Sequence, residues 1–329
     1  MEEYIIKFTG YGIVMISICI FGITANMLNL IVLSDQKKFS QSSYTYLRGL
    51  ALTDMLNLIF YLLSGLARGI FPTNCGWMFY ELYIYYPIGT MSSNATMLLT
   101  VLLAFERYCW IAHPLRMRKY CNRKIAFRAT LVASTFCIIF NLPRFFGYYV
   151  ECHINLNDSS IADDNTRHHY FYHEVQYTDF GSSGFLQVYY WIHLVPIVLG
   201  SCIILIILNM LLIKHTHRAR KRIQNMTSNV FLHRAHEQQR LTVMLVGVTF
   251  LFLMGEIPSA LASRLFARLL YGDIDNTEFI IVNVVTSNLN VVQYSLNFFV
   301  YCVINRKFRK ACQKMFLCNQ SNSIVPAVA

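Results

Sequence analysis

Residues 187–213 read QVYYWIHLVPIVLGSCIILIILNMLLI, without one Asp, Glu, Lys or Arg. The run exceeds the roughly 20 apolar residues that a helix needs to cross about 30 Å of hydrocarbon. Six more such runs lie at 11–34, 47–70, 82–111, 125–146, 241–266 and 279–303. Together they explain a chain of 329 residues that is 55% hydrophobic and 14% charged, with a mean hydropathy of +0.42. Soluble globular domains do not have that balance. The expected fold is an all-α membrane protein, a seven-transmembrane helix bundle. Glu2 and Glu3 stand where a leader peptide would be basic, so the first run is read as a span and not as a cleaved signal.

Charge sets the orientation. Most of the 28 lysines and arginines fall after spans one, three, five and seven, and such residues are retained in the cytoplasm. The acids gather on the opposite side. The expectation is a multi-pass plasma-membrane protein lying in the lipid bilayer: an extracellular N-terminus at 1–10, a seven-span domain at 11–304 and a cytoplasmic helix and tail at 305–329. The net charge of +11 belongs to the inner face and does not point to nucleic acid. An acidic mouth would steer basic ligands inward, although ordinary solvated loops carry the same charges.

Of ten cysteines only Cys75 and Cys152 fall in outer segments. An oxidising exterior makes them the expected disulfide, with two free thiols as the alternative. Asn157 opens a glycosylation sequon in the long, polar outer loop, whereas the sequon at Asn94 lies inside a span and should stay bare. After span seven, NRKFRKACQKMFLC (305–318) puts Phe308, Cys312, Met315 and Phe316 on one helical face and Lys307, Arg309, Lys310 and Lys314 on the other. That pattern describes a short amphipathic helix on the inner leaflet, with Cys312 and Cys318 as palmitoylation candidates.

Several polar residues sit within the spans. Asp54 is a mid-span acid, costing about 2.5–3.5 kcal/mol on insertion scales unless partnered. Arg107 has Glu106 beside it, a contact that a switch can make in one state and break in another. Asn26, LALTD ending at Asp54, Glu106-Arg107-Tyr108, Pro196, Pro258 and Asn297-Phe298-Phe299-Val300-Tyr301 form an ordered set over nearly the whole chain. This set resembles the rhodopsin-like G-protein-coupled receptors, with Phe298 where the family has a proline. The resemblance implies that Arg107 meets a heterotrimeric G protein when span six swings outward, with Pro114 and Leu115 as inner-loop contacts. It also implies a sodium ion held by Asp54, Thr96 and Asn297, and no other cofactor. From the residues alone, the alternative is an Asp54 that is protonated or simply bonded to Asn26.

Gly89 occupies the place where amine receptors carry an aspartate, and Ala133 stands near the family's usual tryptophan of span four. NLPRFF (141–146), YYPIG (85–89) and Tyr190, Trp191, Leu194 and Pro196 resemble invertebrate FMRFamide-receptor-like proteins. Cys75 lies farther from Arg107 than the family cysteine, and Leu82 takes the usual place, so Cys75 is expected in the loop before helix three. Pro87 suits the first turns of that helix. In LFLMGEIPSA (251–260), Glu256 replaces the family's tryptophan before Pro258. Pro258 still supplies a hinge, and Phe252 is placed to transmit its motion.

The expected ligand cavity is lined by Tyr86, Gly89, Ser93, Tyr189, His193, Glu256, Ser259, Ser263, Ser287 and Asn290. An extracellular peptide ending in Arg-Phe-amide suits it, guanidinium to carboxylate and phenyl to aromatic walls. The alternative makes Glu256 a structural polar group bonded to His193, Asn290 or water. A chemosensory receptor for small molecules also remains open. A transporter or channel would show a path of intramembrane charges or matched broken helices, which are not evident. No nucleophile, base and oxyanion set and no clustered metal ligands can be assembled, so no enzyme is expected. His168, His169 and His173 could bind zinc but read as solvated loop residues.

Overall fold

A computed structural model describes residues 2–35, 37–72, 74–113, 117, 120–154, 171–223, 229–263 and 277–321. Seven helices are long and apolar enough to cross a membrane: α1 (Glu2–Ser34), α2 (Ser42–Ile70), α3 (Cys75–Ala112), α4 (Arg123–Phe146), α5 (Gly184–Arg218), α6 (Gln239–Leu261) and α7 (Thr277–Ile304). Helix continues past α5 to Ile223 and precedes α6 from Asn229. The amphipathic helix follows as α8 (Arg306–Ser321). Asn305 caps it, its Oδ1 accepting from the Lys307 and Phe308 amides at 3.1 and 3.2 Å. Between α4 and α5 an antiparallel hairpin, β1 (Tyr148–Ile154) and β2 (Phe171–Tyr177), pairs Tyr148 with Tyr177 and Cys152 with His173. The sequence reading had only a polar loop there.

α3 runs through the middle, touching α2, α4, α5 and α6, while α1 packs on α2 and α7. Lipid tails are as apolar as leucine, so close approach of small residues and buried polar bonds hold such a bundle together. A Cβ built on Gly69 would lie 2.3 Å from the Gly12 amide nitrogen, and one on Gly65 would lie 2.9 Å from the Tyr11 carbonyl. The first contact joins two wide π-helical turns, Phe8–Met15 and Leu66–Ile70, and Gly65 lies just before the second of them. The largest apolar cluster lies at the Arg107 end, where Leu241, Met244 and Leu245 of α6 pack with Leu103, Tyr301 and Phe308.

Helix is already present from Glu2, ahead of the apolar run at 11–34, with Glu2 and Glu3 in the first turn at the positive end of the helix dipole. Two expectations change. Cys75 is the first residue of α3 and not a loop residue, because Asn74 caps the helix by accepting from the Trp77 amide at 3.3 Å. α3 is therefore 38 residues long, about 57 Å at 1.5 Å each, and outreaches the hydrocarbon. Pro87 lies in its interior, within a π-helical stretch (Glu81–Gly89) whose wider turn takes the ring that a tight α-helical turn would reject. With Phe298 in place of proline, α7 is one uninterrupted helix.

Candidate functional site

Asp54 is fully buried at the centre of the bundle. Its Oδ2 accepts from Asn297 Nδ2 at 2.7 Å and its Oδ1 from Thr96 Oγ1 at 3.4 Å. Thr96 also bonds Thr53 and Asn57, tying α2 to α3. Asn26 is engaged elsewhere: its Nδ2 donates to the carbonyls of Gly22 and Tyr294 at 3.0 and 2.9 Å, clamping α1 to α7. The sequence thus brings Asp54, Thr96 and Asn297 together and leaves Asn26 beside them in a separate bond.

At the Arg107 end, Glu106 accepts from Ser42 and Ser43 at 2.9 and 2.5 Å, and Arg107 Nη2 lies 4.0 Å from it. Glu106 and Arg107 are both buried. The serines open α2, so the carboxylate that faces Arg107 is also a staple between α2 and α3. Tyr108 packs edge-on against His215 of α5, and Tyr301 against Phe308 of α8. Pro114 and Leu115 lie outside the described residues.

Towards the other end, Glu256 is half-buried on α6, in the neighbourhood of Tyr61, Tyr294 and Cys202. Among the described residues no hydrogen bond or ion pair reaches its carboxylate. Asn290 donates to Ser259 at 3.0 Å and to Tyr61 at 3.3 Å, and Ser93 shares a 2.9 Å bond with the Tyr294 hydroxyl. His193 does not join them. It pairs with Asn94 at 3.1–3.2 Å and stacks on Phe140, on the α3–α4 side. Gly255 lets the Gln293 amide approach α6 so closely that a Cβ would meet it at 2.0 Å. Gln293 itself, like Asn290 Oδ1 and Ser263 Oγ, has buried polar atoms without a partner among the described residues. Gly89 and Ser287 are half-buried. Phe252 is buried with Met97, Leu205 and Leu208, and Pro258 lies just before the end of α6 at Leu261. A separate open recess of about 640 Å³ is lined by Glu2, Glu3, Tyr4, Lys7, Pro72 and Thr277, where Lys7 pairs with Glu3 at 3.7 Å.

Two arginines near the Cys75 end escaped the sequence reading. Arg68 makes two bonds to Glu81 Oε2, at 2.6 Å from Nη2 and 3.0 Å from Nε, and its guanidinium lies over Tyr85 and Tyr11. Arg144 is 6% exposed, with its guanidinium 5.0, 5.6 and 5.3 Å from the rings of Tyr86, Tyr189 and Tyr190. Its Nε donates to Asn141 Oδ1 and the Tyr189 hydroxyl, each at 3.1 Å. The signal was available, since an ionisable residue closing an apolar run is a functional candidate by default.

Cys75 is disulfide-bonded. Cys152 lies on β1, but its side chain, like that of Cys318, is outside the described set, as is Asn157. Cys312 turns inward, buried in the apolar cluster with Phe308, and that burial raises its thiol pKa. From that position, acylation would first require the thiol to turn out of the cluster.

The chain resembles several curated receptors. It is 27% identical to the sex peptide receptor of Drosophila melanogaster over 93% of this chain and 72% of that protein. It is 24% identical to sex peptide receptor-related protein 2 of Caenorhabditis elegans, over 93% and 71%. Identity to the Drosophila melanogaster FMRFamide receptor is 24%, over 94% of this chain and 54% of that protein. The family model described as the serpentine type seven-transmembrane chemoreceptor Srw matches residues 13–319. With seven spans around a buried Asp54 and a Glu106–Arg107 pair, the chain belongs to this Srw family of G-protein-coupled receptors.

Proposed function

We propose that the protein is a receptor for an amidated, basic neuropeptide of the Arg-Phe-amide type, that it signals to a heterotrimeric G protein, and that its N-terminus is extracellular. The observation that carries the reading is Glu256, a half-buried carboxylate among tyrosines with no hydrogen bond or ion pair from the described residues. An arginine brought by a ligand would complete it by charge-assisted hydrogen bonds. The names of the sex peptide and FMRFamide receptors favour a peptide, and the positive-inside rule favours the orientation. The Srw description as a chemoreceptor favours a second reading, a small-molecule ligand in the same place.

On the cytoplasmic side, Arg107 would be released from Glu106 as α6 leaves the cluster that now holds Leu241 and Met244. A sodium ion near Asp54 belongs to the same proposal. The carboxylate, the Thr96 hydroxyl and Asn297 Oδ1, buried without a partner among the described residues, are hard oxygen donors of the kind such a cation takes. Cys75 would pair with Cys152, pinning the hairpin to the tip of α3.

The test is a panel of amidated neuropeptides and small amines on cells expressing the chain with a promiscuous G protein, repeated on Glu256→Gln. Arg-Phe-amides should activate, and Glu256→Gln should lower potency tenfold or more, as expected for loss of a charge-assisted bond. Unchanged potency at normal surface expression would reject the role of Glu256. A response confined to small amines would select the second reading.

A further inference from the structure

Arg144 closes α4 beneath the β1–β2 hairpin, where Tyr148 of β1 packs edge-on against Tyr86 of α3 at 5.8 Å. The arginine does not reach out to the membrane surface, since only 6% of it is exposed. One of its five N–H donors is used, the Nε to Asn141 and Tyr189. Among the described residues neither a hydrogen bond to its Nη atoms nor a carboxylate at ion-pair distance is present. Three tyrosine faces offset part of the cost of burying the cation, but cation–π contacts do not neutralise it. The same bundle shows what a completed arginine looks like: Arg68 keeps its own acid, Glu81.

We propose that the Arg144 cage is a recognition site for a carboxylate on the ligand, taken up by the free Nη edge of the guanidinium between the rings of Tyr86 and Tyr190. The planar fork of arginine matches a carboxylate in a paired, bidentate geometry. A single guanidinium balances a single negative charge, and no second cation among the described cage residues would balance a phosphate dianion. Tyr86 and Tyr190, which flank the guanidinium, are half-buried. The ligand class is then narrower than a basic peptide: it carries an acidic group as well as the base that Glu256 would meet. This deepens the reading above and rests on it only for placing the ligand in this half of the bundle.

The test uses purified, detergent-solubilised receptor and two probes of nearly equal shape, N-acetylphenylalanine and its neutral amide. At about tenfold over its Kd the acid should raise the unfolding temperature by about 2 °C or more, and the amide should not. Arg144→Gln should abolish the difference, while Arg144→Lys should keep the preference for the acid. No shift with the acid, equal shifts with both probes, or a shift that survives in Arg144→Gln would each overturn the proposal. If neither variant can be recovered, the wild-type comparison of acid with amide decides. Acid preference alongside a failed Arg-Phe-amide panel removes the peptide guess alone. A successful panel without acid preference removes only the carboxylate site.

Discussion

Arg68 and Arg144 lie towards the same end of the bundle, each among tyrosines, and they solve the problem of a buried charge differently. Arg68, with its side chain still 38% exposed, carries a two-bond ion pair to Glu81. Arg144, far more enclosed, has rings and two neutral acceptors. A charge paired within the chain holds helices together, here α2 to α3. One without a counter-ion among the described residues, in the less solvated of the two places, adds less to the bundle than it would to a complex, because a partner from outside gains the pairing and restores no lost hydration. Glu256 on α6 is the negative counterpart of Arg144.

The sharpest way to break the comparison is to remove Arg68. Arg68→Met would strand the buried Glu81, one of whose oxygens already lacks a partner among the described residues. The loss should be about 3 kcal/mol, the lower end for a broken buried pair because Arg68 is partly exposed. Thermal unfolding of the solubilised receptor would read it, and adding Glu81→Leu should restore most of the stability. Failure of that rescue would mean that Arg68 acts through Tyr11 and Tyr85 and not through its acid. A neighbouring contact gives a scale without charge. Gly69→Ala would drive a methyl against the backbone of Gly12, at 2.3 Å from its nitrogen, and should cost about 1–3 kcal/mol in the same assay. A neutral Gly69→Ala would show that α1 can move away freely.

The seven spans were legible because hydrocarbon imposes a long, simple pattern. The meeting of Asp54, Thr96 and Asn297 was implied by the resemblance to the rhodopsin-like receptors and not by the pattern, which marks Asp54 as an acid in need of partners without naming them. The start of α3 was misjudged because a length argument assumed that helix ends where membrane ends, whereas the Asn74 cap lets it continue to Cys75. The suggested bond from Glu256 to His193 is not made, because sequence does not determine which way a side chain turns around the helix, and His193 pairs with Asn94 and stacks on Phe140 instead. The hairpin and its meeting of Tyr148 with Tyr86 depend on contacts distant in sequence, and the pattern of β1 carried no sign of its partner.

Removing one of the two serines that hold Glu106 tests whether self-pairing also governs the proposed switch at the Arg107 end. Ser43→Ala deletes a charge-assisted bond to Glu106, of a type that contributes about 1.5–3 kcal/mol. If that bond belongs to the resting arrangement, agonist-independent nucleotide exchange on the G protein should rise about tenfold. Unchanged basal exchange at equal surface expression would assign Ser43 to assembly alone.

The smallest effect should come from Arg144 itself, and its smallness is the point. Arg144→Met strands no acid among the described residues, and Asn141 and Tyr189 keep each other, since the Tyr189 hydroxyl already donates to Asn141 Oδ1 at 3.2 Å. The change trades three cation–π contacts and two hydrogen bonds for relief of a buried charge and a better-matched apolar side chain. The net change in stability should stay within about 1 kcal/mol, well below that of Arg68→Met in the same assay. A loss as large as that for Arg68 would mean that Arg144 has a counter-ion within the chain and that the two arginines are alike after all. A near-neutral result would leave the buried cation without a structural reason, and would direct attention to what it binds.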